Sequence, residues 1–260
     1  MYHFEKELDS HVPSVIGFDV EWTKNFRIKN ANKAFCYSVV WVSDLAVCNV
    51  NYLEDTLHFG FKMNYVESDA TDECQQMCDE ANKHVASFLS PRNTVVGHQF
   101  TSDIGVLLAC SEHKLEAIET LKKSWQSRNQ TDAKQVNVFD TRYDLPDSKE
   151  VESNKLVNVC PVWQLNVLQP EIHGSMTKMQ RDFYARKKQH QLIMEKIAVL
   201  NIRHSLSSVL LYLFYLHGKP DHMVNINTIL YRNLKDTFDY VRSPAFATLL
   251  TPLIPSPVSY

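Results

Sequence analysis

The chain has 260 residues, of which 44% are hydrophobic and 22% charged, and a formal net charge of −3. This length predicts one domain of about 200 residues or more, alone or with an appendage, and the composition excludes global disorder. The acidic balance excludes a protein that holds nucleic acid through its overall field and leaves only a local basic patch for that role.

The cysteines, Cys36, Cys48, Cys74, Cys78, Cys110 and Cys160, are scattered through a chain too large to need cross-links. That usage predicts reduced thiols and an intracellular protein, cytoplasmic or nuclear. Cys74 and Cys78 lie one helical turn apart, but no second ligand pair at zinc-like spacing follows them. The start of the chain, "MYHFEKELDS", is charged where a signal peptide would be apolar. The longest apolar run, residues 209–216, is too short to span a bilayer, so no membrane association is expected.

In chain order, residues 15–20, 35–42 and 57–63 are rich in Val, Phe and Tyr and predict three strands of an antiparallel meander. Residues 71–89 predict a helix stopped by Ser90 and Pro91. "NTVVGHQ" then reads as a strand, "TSDIGVLLAC" as a helix start, residues 115–125 as another helix and "VNVFDT" as a fifth strand. Strands followed by helix, strand, helix and strand give an α/β class, a mixed five-stranded sheet flanked by helices. Residues 144–154 are polar and read as a loop. Beyond Pro170 and Gly174 the chain is helical over 176–200, 205–217 and 225–241, and "TPLIPSPVSY" reads as an extended Pro-rich tail. The expected division is a domain over 1–220, with 221–260 packed on it as a C-terminal helix and tail.

Asp19 and Glu21 close the first apolar strand. Two residues apart, they project to the same side of the sheet. Two carboxylates held together repel unless a positive charge sits between them, and a hard divalent cation suits oxygen ligands. A second acid, Asp103, stands in the first turn of the helix that follows "VVGHQ", where a neighbouring helix can deliver it toward the strand pair. Bland readings exist for both: a solvated strand end for Asp19 and Glu21, a dipole-stabilised helix start for Asp103.

"IGFDVEW" resembles the first motif of the DEDD 3'-5' exonucleases, and "GHQFTSDIGVL" resembles their second, in which a glycine-histidine-amide segment precedes a metal-binding Asp. "VFDT" is similar to the Asp-Thr strand that follows in the family, and the resemblance covers about residues 14–215 in the right order. It implies a ribonuclease-H-like fold and hydrolysis of single-stranded DNA or RNA from a 3' end with two Mg2+ or Mn2+ ions. The ions would clamp the scissile phosphate, activate water and neutralise the leaving oxygen. Asp19 would bridge both ions, with Glu21 and Asp103 each holding one.

The family's third motif, a general base followed by a fourth acid on a late helix, is divergent. "LNIRHSLSSVLLYLFYL" is similar to the histidine-type motif and makes His204 the leading candidate for the base, its proton affinity lying near neutral pH. Five residues on, where the acid is expected, stands Val209. Two other readings stay open: His190 with Glu195, which restores the spacing, and Tyr184, whose tyrosine-type pattern ends in Lys188. A site with one carboxylate fewer holds a second metal less well. The alternative is therefore a catalytically degenerate module that binds nucleic acid or a protein partner, with an endonuclease or other phosphoesterase as a further reading. For nucleic acid, "KMQRDFYARKKQH" places Arg181, Tyr184, Arg186, Lys187 and Lys188 in one basic, aromatic stretch, and residues 25–33 form a weaker candidate. The C-terminal region is a candidate surface for a protein partner or self-association.

Overall fold

The computed structural model describes residues 1–8, 15–24, 32–43, 49–130, 136–146, 153–169, 172, 174–185 and 189–250. Six strands form one mixed sheet: β1 (Tyr2–Lys6), β2 (Val15–Thr23), β3 (Lys33–Val42), β4 (Gly60–Tyr65), β5 (Thr94–Gly97) and β6 (Asn137–Asp140). They lie in the order β1-β4-β3-β2-β5-β6. The meander pairs antiparallel, Asp19 facing Ser38 and Tyr37 facing Asn64, whereas β2 runs parallel to β5 and β5 parallel to β6. The C-terminal ends of β2, β5 and β6 therefore share one edge of the sheet. Strands buried on both faces explain the near-continuous apolar runs of β2 and β3.

Alternation along β2 sorts the layers. Phe18 and its facemate Tyr37 point toward α2 (Thr71–Phe88), α3 (Phe100–Cys110) and α4 (Glu116–Gln126). On that side Phe18 packs edge-on to Phe100, and the Tyr37 hydroxyl bonds to His84 Nδ1 at 2.8 Å. Gly17, Asp19 and Glu21 face the opposite way, toward the 28-residue helix α7 (His190–His217). Short α5 (Leu156–Val162) and α6 (Met176–Tyr184) pack against α7, as does α8 (Ile226–Leu234). Two further single-turn helices, α1 (Leu53–Thr56) and α9 (Pro244–Ala247), two 3-10 turns (Val50–Tyr52 and Asp239–Arg242) and the two-residue ladder of β7 (Leu165–Asn166) with β8 (Val224–Asn225) complete the described elements. Asn233 of α8 accepts from Lys6 Nζ at 2.9 Å and donates to the Leu57 carbonyl at 3.1 Å, tying the C-terminal part to the sheet edge.

The sheet has a sixth strand, β1, that the sequence reading missed. Its alternation is inward for Tyr2 and Phe4 and outward for His3 and Glu5, the pattern of a half-covered edge strand, which a reading focused on charge overlooks. The third expected strand lies later than predicted, at Gly60–Tyr65, and the last expected helix stops at Leu234, followed by a 3-10 turn at Asp239–Arg242. The expected break between residues 200 and 205 is absent: α7 runs straight through it. Asn201 and Arg203 look like helix-boundary polar residues in sequence, yet both are buried, Arg203 through bonds to Gln169 and Asn227. By length and hydropathy α7 could cross a membrane, but 89% of its apolar window is buried inside the protein, which makes it the core helix of the fold. The Pro-rich tail lies outside the described residues.

Gly17 sets the distance between α7 and the sheet. A Cβ placed there would sit 2.3 Å from the Ser205 carbonyl oxygen and 2.8 Å from Val209 Cγ2. Because the first of those contacts is backbone, α7 would have to lift. Gly17→Ala should destabilise the protein by about 1–3 kcal/mol, measured by urea unfolding. An unchanged midpoint would show that the helix is not seated as closely as described.

Candidate functional site

The shared edge gathers Asp19, Glu21, Asp103 and His204. Asp19 and Glu21 reach it from β2, His204 from α7 on the same face, and Asp103 from α3 on the other face. His204 Nδ1 lies 3.5 Å from Asp19 Oδ2 and 3.2 Å from Glu21 Oε1. Ligand atoms of Asp19, Glu21 and His204 all fall within 4.8 Å of one another, the one such group of His, Cys, Asp and Glu side chains found among the described residues.

Asp103 stands just beyond this triple. It is 3% exposed, accepts from the Val20 amide between the two β2 acids, and leaves its Oδ2 without a hydrogen-bond partner. Burial, followed by the charges of Asp19, Glu21 and Asp140, holds its carboxyl well above the usual range. Burial also raises Glu21, partly offset by the hydrogen bond from His204. For His204 burial opposes the charged ring, but the hydrogen bonds and charges of Asp19 and Glu21 outweigh it and push the imidazole up to about 10. At neutral pH the ring is thus an imidazolium and the counter-charge of the acid pair. A buried acid with an unpartnered oxygen, beside two more acids and an imidazole, is a donor set that fits a divalent cation.

Asp140, at the end of β6, orients α3. Its carboxylate accepts from the amides of Gln99 and Phe100, each at 3.0 Å, and from Trp125 Nε1 at 2.8 Å. It thereby caps the helix that carries Asp103 and holds Gln99 in a left-handed conformation, φ 60°. His98 is structural as well: its ring bonds the Thr141 hydroxyl at 3.0 Å and the Asn154 carbonyl at 2.8 Å. Gly97 leaves room for the Phe100 ring, which a Cβ would meet at 1.9 Å.

The residues considered for the third motif lie in different places. Val209 is fully buried and packs over Gly17, one step inward of Asp19. Glu195 is nine residues before His204, half a turn out of phase, so it faces away from the acid edge. Its oxygens accept from the Tyr240 amide at 2.7 Å and Gln191 Nε2 at 3.0 Å, while the His190 ring lies tilted against Phe183, centroids 6.3 Å apart. Tyr184 is half-buried against Phe183, and burial pushes its phenol up to about 12. Of the basic stretch, Arg181 is exposed on α6, whereas Arg186, Lys187 and Lys188 lie outside the described residues, as do residues 25–31 of the weaker candidate. Cys74 and Cys78 are buried free thiols, Cys74 bonding to the Ala34 carbonyl.

Two features escaped the sequence reading. Asn201, one turn before His204 on α7, donates from Nδ2 to Asp19 Oδ2 at 2.7 Å. Its (i, i+3) spacing from His204 was the available signal. The other is an aromatic and cationic cluster just past β6. Tyr143 is 47% exposed, with the Arg142 guanidinium 5.7 Å from its ring and Trp125 edge-on at 6.1 Å. Arg128 lies over Trp125 at 4.2 Å, and Arg142 also bonds Gln99 Oε1. The cluster follows β6 directly, at the same end of the sheet as the acids.

Compared with protein-family models, curated proteins and solved structures, the chain finds no match in any of the three.

Two outcomes follow from the electrostatics. Asp103→Asn replaces a buried carboxyl whose charged form is disfavoured by burial and by Asp19, Glu21 and Asp140 with a neutral amide of the same shape, and should leave the metal-free protein as stable or more stable, by up to on the order of 1 kcal/mol at neutral pH; a large loss of stability would show that the carboxylate is satisfied. The raised His204 imidazole contributes stability that is complete below its unfolded value of about 6.5 and lost as pH rises through about 10. In metal-free protein, NMR titration of its ring should therefore place the midpoint far above the ordinary range. A midpoint near 6.5 would contradict the ion pair.

Proposed function

We propose that this protein is a metal-dependent nuclease of the DEDD type, removing nucleotides from single-stranded 3' ends of DNA or RNA on a ribonuclease-H-like fold. The observation that carries this reading is the convergence, from both faces of the sheet onto one edge, of Asp19, Glu21, Asp103 and His204. An antiparallel β4-β3-β2 meander continued by parallel β5 and β6 is compatible with that fold.

Asp19 and Glu21 would hold the cation, Mg2+ or Mn2+, with Asp103 as a third carboxylate. A divalent ion in that place supplies charge neutralisation at the scissile phosphate and activates water. His204 is the cation in direct contact with both acids of the pair, and they favour its protonated form. A cation held by Asp19 and Glu21 would offset the charge that favours the imidazolium, and His204 would then serve as the group that accepts a proton from water. Tyr143 offers an exposed ring on which a terminal base can stack, and Arg142 a cation for phosphate.

A second reading, a nucleic-acid or protein-binding module without turnover, is favoured by Val209 in the expected position of the fourth acid and by the His204 ion pair across the β2 acids. An assay separates the two. On 5'-labelled single strands of DNA and RNA with Mn2+, the nuclease reading expects a ladder shortening from the 3' end, abolished by Asp19→Asn. Binding without any ladder favours the second reading in its nucleic-acid form, and neither binding nor cleavage rejects the nuclease and leaves only a protein-binding module. Tyr143→Ala should weaken single-strand binding roughly five- to thirtyfold, measured by fluorescence anisotropy, in line with about 1–2 kcal/mol for one lost stack. Unchanged affinity would remove Tyr143 from the substrate path.

A further inference from the structure

Asn201 is fully buried on the face of α7 that meets the β2 acids. Its Nδ2 lies 2.7 Å from Asp19 Oδ2, and its Oδ1 has no hydrogen-bond partner. A buried amide oxygen left without a partner costs roughly 1–3 kcal/mol, so its presence calls for a reason. The two ends of an asparagine amide are nearly isosteric and exchange places by rotation about the last side-chain bond. That rotation would bring Oδ1 to within about 3 Å of Asp19 Oδ2. Two oxygens bound side by side to an octahedral ion at about 2.1 Å stand at just that separation, about 3.0 Å. Neither other residue considered for the place is available: Val209 packs inward over Gly17, and Glu195 is bound to Tyr240 on the opposite side of α7.

We infer that Asn201 is a cation ligand of this site, its amide oxygen joining Asp19 and Glu21 around a divalent metal ion in place of a fourth carboxylate. The inference rests on the metal-dependent reading above. Without the cation, the NH2 end of the amide turns to Asp19 and helps His204 satisfy it. With the cation, the carbonyl end turns in and its oxygen gains the partner it lacks. A neutral ligand adds no charge, so the site binds metal with lower affinity than a four-carboxylate site and prefers an ion that accepts amide oxygen, such as Mn2+ or Mg2+.

The test is Mn2+ titration of the full chain, followed by the electron-paramagnetic-resonance signal of the free ion, for the wild type and for Asn201→Asp, Asn201→Ala and Asp19→Asn. Asn201→Asp adds a negative oxygen in the same place and is expected to tighten Mn2+ binding tenfold or more. Asn201→Ala should weaken it at least fivefold. If Asp19→Asn abolishes binding while both Asn201 variants match the wild type, the Asn201 assignment is overturned and the metal site stands. If Asp19→Asn binds Mn2+ as the wild type does, the metal reading itself fails. Should Asn201→Asp not fold, the Ala variant decides alone, wild-type affinity overturning the inference.

Discussion

Carboxylates crowded at a partly buried edge must find positive charge, and this fold brings three of them to one place. Asp19 and Glu21 arrive there because a strand puts alternate residues on one face. Asp103 arrives because Asp140 caps the start of α3 and sets its orientation. In the metal-free molecule the answer to their repulsion is partial: the His204 imidazolium spans Asp19 and Glu21, Asn201 donates to Asp19, and Asp103 stays with an unpartnered oxygen. The close seating of α7 on Gly17, the cap on α3 and the rigid edge formed by β2, β5 and β6 all serve to hold that imbalance in place.

An internal counter-ion has a chemical consequence. It stabilises the fold and, on the proposed reading, would compete with a cation for the same oxygens, so metal binding would be coupled to loss of the His204 proton. Metal affinity at neutral pH is then set by the difference between two occupants of one site. On the proposed reading, this competition, together with the buried Val209, would leave the site between turnover and simple binding. It is the physical reason that both functional readings start from the same residues.

Much of this architecture was legible in the sequence. The doubly buried runs of β2 and β3, the Gly97 stop and the acid spacing in "DVE" each follow from local rules, and they are the sequence signals that single out Asp19, Glu21 and Asp103. His204 was found by its position at the head of an apolar segment. What escaped was tertiary in origin. Asn201 and Arg203 read as a helix break because polar residues in an apolar run usually mark a boundary, yet here each is satisfied or engaged by groups distant in sequence. Glu195 matched a spacing rule but faces the wrong way, since nine residues along a helix is half a turn out of phase. The Tyr143 cluster was invisible because its ring contacts join residues from separate elements, and β1 because an edge strand with mixed polarity resembles a charged terminus.

The central claim is that side chains from both faces of the sheet hold one hard cation at its edge. Anomalous X-ray scattering from crystals soaked in Mn2+ tests it most directly. The account predicts a peak at about 2.1–2.3 Å from oxygens of both Asp19 and Glu21, with the His204 ring displaced from its position between them. Crystals that take up millimolar Mn2+ without such a peak, and with His204 still bridging the two carboxylates, would contradict it.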